Sequence, residues 1–232
     1  ILFKPDGTEI TRLPGGEVDP SKYMQVLSLG MNATRPVKTL LNEALSSKNS
    51  LSEDDWRLLA YYAWDVDEAQ IINKERLAST LQQLAAACPP ELAEVATRLR
   101  MRALAVAAEN KKDADALDKT TALQQLSSVL ADAEQSRANF DVIVSSTSEI
   151  VGALTTVKSS SRTTLSSAWN NALDRLLADN TLSVNDRISA LSAKVDLAKI
   201  DFPEAEKNPK VFSLTPELLK QIREIIAQAN QT

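Results

Sequence analysis

A chain of 232 residues with 44% apolar and 25% charged side chains can build one large core, or a small unit beside an ordinary domain; this excludes a stapled mini-protein and a disordered chain. Its net charge of −5, with Lys and Arg spread along the sequence, supplies no basic field to offset phosphate, so nucleic acid is not an expected partner. The absence of histidine and the single cysteine, Cys88, exclude an intramolecular disulfide, a histidine-based metal site and a Ser-His or Cys-His nucleophile.

Only five glycines stand against an abundance of Leu, Ala, Ser, Lys, Glu and Gln, side chains that lose little rotamer freedom in a helix. The expected fold is therefore mainly α. No stretch approaches the ~20 apolar residues that span a bilayer, so membrane insertion is not expected. The chain opens in an apolar run, Ile1-Leu2-Phe3, without an initiator Met or a charged leader, and reads as part of a longer protein.

In chain order, residues 1–13 read as a β-hairpin. Ile1, Leu2 and Phe3 form an apolar run, Pro5-Asp6-Gly7 is a turn in which Pro presets φ and Gly supplies positive φ, and Glu9 to Leu13 resumes as a strand. Pro14-Gly15-Gly16 ends it. Asp19 as N-cap, Pro20 at the first helical position and a Val18 to Tyr23 staple start a helix that should run to about Gly30.

From about residue 31 the period is near 3.6 throughout, which predicts an irregular array of helical hairpins. The expected buried stripes are Leu77, Leu81, Leu84 and Cys88; Leu165, Trp169, Ala172, Leu173 and Leu176; Ile188, Leu191 and Val195; and Leu218, Leu219, Ile222, Ile225 and Ile226. Ser52 with Asp55, Ser183 with Asp186, and Thr215 before Pro216 are predicted N-caps. The first two share a longer pattern, Asn49-Ser50-Leu51-Ser52-x-x-Asp55 and Asn180-Thr181-Leu182-Ser183-x-x-Asp186, although no fixed repeat period emerges. Trp56 to Trp64 is apolar on every side and predicts a central, surrounded helix, while Lys111 to Asp118 and Asp201 to Val211 read as connections.

The order strand, Pro-Asp-Gly turn, strand, Pro-Gly and then Val18-Asp19-Pro20-Ser21-Lys22-Tyr23-Met24 resembles the closing part of a thioredoxin-like domain. With Asp54-Asp55-Trp56-Arg57-Leu58-Leu59-Ala60-Tyr61-Tyr62-Ala63-Trp64-Asp65 and Ala168-Trp169-Asn170-Asn171-Ala172-Leu173-Asp174-Arg175-Leu176, the whole resembles bacterial thioredoxin-family proteins with a long helical C-terminal extension. The resemblance implies that residues 1–31 are the C-terminal remnant of a thioredoxin-like domain and 32–232 an α-helical domain for partner or substrate binding. It also implies a periplasmic or exported protein of the thiol-disulfide oxidoreductase family, with its C-x-x-C pair upstream of Ile1. This chain, lacking that pair, is then not expected to be an enzyme or to hold a cofactor. The alternative reading is a helical scaffold that binds a protein or peptide with no redox role.

Candidate sites follow from side-chain chemistry. The aromatic group Trp56, Tyr61, Tyr62 and Trp64 reads first as core, since aromatics at helical spacing pack inward; the alternative is a groove for an extended peptide, in which Tyr62 and Trp64 are the candidate partner-binding residues and the ones expected to be partly exposed. Cys88 lies on the apolar stripe at a helix C-terminus, where burial and the dipole both disfavour a thiolate, and reads as a packed, inert thiol. Arg98, Arg100 and Arg102 alternate along a helix and read as a solvated face, Glu53, Asp54 and Asp55 as first-turn acids, and Lys158 to Ser161 as a turn. A homodimer through the open edge of the N-terminal strand is a further expectation.

Overall fold

A computed structural model of the protein describes residues 1–13, 20–46, 51–66, 71–109, 126–147, 150, 159–198 and 215–229. The fold is mainly α-helical, and the described strands form a single two-stranded antiparallel sheet. The chain divides into two compact units, residues 1–117 and 118–232. The division falls at 117/118, so residues 1–31 sit inside the first unit.

The first unit opens with the predicted hairpin, β1 (Leu2–Phe3) against β2 (Glu9–Thr11). Gly7 takes the positive φ of +83° that the turn demands, and the Thr8 amide donates to Asp6 Oδ1 at 2.9 Å. α1 (Pro20–Asn32) follows, two residues longer than the spacing predicts. Its predicted N-cap Asp19 and staple residue Val18 lie outside the described residues. Gly30, buried on α1, is where the hairpin lands: a Cβ there would meet Leu2 Cδ1 at 2.5 Å and Thr11 Cγ2 at 2.8 Å. A side chain there would force the Leu2 and Thr11 side chains to give way.

α2 (Val37–Ala44) buries Val37, Leu40, Leu41 and Ala44, the i, i+3, i+4, i+7 stripe of an amphipathic helix. α3 (Glu53–Tyr61) is the centre of the unit, packing against α1, α2 and α5, and it carries the fully buried Trp56 and Leu59. Its start is the predicted capping box. The Asp55 amide donates to Ser52 Oγ at 3.2 Å and the Ser52 amide donates to Asp55 Oδ2 at 2.9 Å, which satisfies two otherwise orphaned donors.

α4 (Leu77–Ala87) and α5 (Ala93–Glu109) form the most extensive helix pair of the unit, joined across Pro89-Pro90 as a helical hairpin. Leu77, Leu81, Leu84 and Cys88 are all buried, as their spacing predicts. Fully burying a leucine contributes roughly 1.5–3 kcal/mol, and this stripe shares one apolar cluster with Leu40, Leu59, Leu99, Trp56, Tyr62 and Trp64.

The second unit contains α6 (Ala133–Ala138), α7 (Phe140–Ser145), α8 (Ser159–Ala178), α9 (Val184–Ala198) and α10 (Pro216–Ala229). α8 packs on α9, and α9 on α10. Trp169 is buried with its indole satisfied: Nε1 donates to Thr147 Oγ1 at 3.0 Å, and that hydroxyl donates to the Ile143 carbonyl at 2.8 Å. The N-caps of α9 and α10 are the predicted ones, with Ser183 Oγ accepting from the Asp186 amide at 3.1 Å and Thr215 Oγ1 from the Leu218 amide at 3.2 Å. The motif Leu-Ser-x-x-Asp thus caps a helix in each unit.

Four expectations need correction. Ile188, Leu219 and Ile226 are exposed. On α9 the buried face runs through Asp186, Ala190, Leu191, Ala193 and Leu197, and Ile188, two residues from both Asp186 and Ala190, points away from it. On α10 the buried pair is Leu218 and Ile225, a heptad apart, and the residue after each is turned about 100° outwards. The serines 159–161 form the first turn of α8 and not an inter-helix turn. Finally, the helix through Trp56 stops at Tyr61: Tyr62 is extended, with φ −63° and ψ 141°, and Trp64–Val66 is a 3₁₀ turn. Leu165, Asn49, Ser50 and the connections at 111–118 and 201–211 are expectations that lie outside the described side chains or residues.

Candidate functional site

The aromatic turn after α3 is built around the orphan carbonyls that every helix leaves at its C-terminus. Trp64 folds back so that its Nε1 donates to the Leu59 carbonyl at 2.9 Å. The Tyr62 and Trp64 rings meet edge to face, centroids 4.7 Å apart at an interplanar angle of 69°, the geometry that suits the ring quadrupoles. Arg98 reaches in from α5. Its Nε donates to the Ala60 carbonyl at 3.2 Å, and its guanidinium carbon lies 3.9 Å from the centre of the Tyr61 ring. A cation at the negative end of the helix dipole, over an aromatic face, closes the end of α3.

Tyr62 and Trp64 are 0% and 2% exposed, both turned inward to seal the end of α3, which is the core placement of the two readings. The geometry corrects the solvated face expected of the three arginines. Arg98 and Arg102 are buried, Arg98 to 3% exposure, while Arg100 alone of the three is exposed. The alternation does fan the side chains apart, but it turns two of them into the interior.

The same turn is stitched to the hairpin. The Ala63 amide donates to the Arg12 carbonyl at 3.0 Å, and Arg12 Nη1 donates to the Val66 carbonyl at 3.0 Å. Glu9 holds that guanidinium in a two-point pair at 2.6 and 3.0 Å. Arg12, Gly30 and Arg98 were not marked by any local signal, because their partners lie far away in sequence: Ala60 is 38 residues from Arg98 and Val66 is 54 from Arg12.

Cys88 is the C-cap of α4, 8% exposed, with its Sγ 3.7 Å from the Leu92 carbonyl oxygen. Burial pushes the thiol up to about 11, which disfavours the thiolate that nucleophilic attack or metal ligation requires.

The acids Glu53, Asp54 and Asp55 lie in the first turn of α3, as expected. Asp55 pairs with Arg35 at 2.5 Å, and Arg35 also pairs with Glu43, while Arg57 bridges Glu53 at 2.8 Å and Glu94 at 2.9 Å. Burial works to raise the Asp55 carboxyl, but hydrogen bonds from the Ser52 side chain and backbone, together with Arg35, outweigh it and hold it below the usual carboxylate range. Asp55 is thus held by the cap and Arg35, and Glu53 by Arg57. Among the described residues no group of three or more Cys, Asp or Glu side chains is placed to hold a metal ion, and no helix is long and apolar enough to cross a membrane.

No family model, no curated protein and no solved structure matches this chain. The site is therefore read from its own chemistry.

Proposed function

We propose that the chain is the C-terminal part of a thioredoxin-like thiol-disulfide oxidoreductase-family protein, periplasmic or otherwise exported, whose helical region binds a protein partner or substrate. The chain itself carries no redox centre, and any oxidoreductase activity belongs to a C-x-x-C upstream of Ile1. Two chain copies pairing along the open edge of β1 are part of the same proposal, and nucleic acid is not a partner.

One observation carries the reading. Strand, Pro-Asp-Gly turn, strand and helix are packed into one another at Gly30, the arrangement a closing element of that domain calls for. Buried Cys88, with its thiol pushed up to about 11, supports assigning the redox chemistry elsewhere. The pairing of β1 with β2 alone among the described strands, which leaves its other edge open, supports the pairing of copies.

The coding sequence ahead of Ile1 tests the proposal. A C-x-x-C, followed by a proline just before the strand, is the expected finding. An upstream sequence without that pair removes the redox reading and leaves a helical scaffold for a protein or peptide partner.

A further inference from the structure

We draw no further inference here: the strongest candidate, the exposed apolar side chains of the N-terminal hairpin and first helix (Ile1, Phe3, Tyr23, Met24 and Met31), carries nothing because nothing in the structure shows what covers them.

Discussion

Replacing Gly30 by alanine separates a docked hairpin from a loosely attached one by the sign of the stability change. In an unobstructed helix the substitution stabilises by about 1 kcal/mol, since alanine restricts the unfolded chain and suits the helix. Here the new methyl would lie 2.5 Å from Leu2 Cδ1 and 2.8 Å from Thr11 Cγ2, against an optimal carbon contact of about 3.5–4.0 Å. Overpacking of this kind costs about 1–3 kcal/mol. The two effects leave Gly30→Ala destabilising by roughly 0–2 kcal/mol. Removing both obstructing atoms, with Leu2→Ala and Thr11→Ser, should return the substitution to a gain approaching 1 kcal/mol. Urea unfolding followed by helical circular dichroism measures all four proteins, and an unchanged slope ensures that the midpoints report stability. A gain of about 1 kcal/mol from Gly30→Ala in both backgrounds would refute the packing of the hairpin on α1.

Two further outcomes follow from the buried groups. Because the folded Cys88 thiol is raised from 9.0 to about 11, its contribution is complete below pH 9 and is lost as pH rises towards 11, by about 2–3 kcal/mol in all. Cys88→Ala should lack that part of the alkaline loss, and equal pH slopes in the two proteins would show that the thiol is solvated. Arg98→Met removes the donor to the Ala60 carbonyl and the contact over Tyr61, and should destabilise by about 1–3 kcal/mol even after relief of the buried charge. Arg100→Met, at an exposed position on the same helix, should fall within about 0.5 kcal/mol of the parent; equal losses at the two sites would contradict the placement of Arg98.

What the sequence makes legible is what neighbouring residues decide among themselves. The turn at Asp6-Gly7, the Ser52, Ser183 and Thr215 caps, and the Leu77, Leu81, Leu84, Cys88 stripe each depend on spacings of four residues or fewer, and each is present as read. Positions whose fate depends on a partner from another element were not legible. Ile188, Leu219 and Ile226 satisfy a helical period, yet the neighbouring helices cover a different arc, so they face outwards. The stop at Tyr61 has no Gly or Pro to announce it. It follows from the indole of Trp64 and the guanidinium of Arg98 taking carbonyls that further helix would have used. The aromatic group was recognisable as central, but which way Tyr62 and Trp64 turn depended on that break. Arg98 illustrates the same point from the other side, since a charge that looks like solvated surface by composition is drawn inward by a helix end and a ring.

The most direct test of the proposed function is insulin-disulfide reduction, measured side by side for this 232-residue chain and for the extended protein that the proposal requires, with its C-x-x-C ahead of Ile1. The extended protein should turn over and the shorter chain should stay at the background of the small-molecule thiol, because its one thiol is buried and raised well above the ordinary cysteine range. Turnover by the shorter chain, or silence from both, would contradict the account.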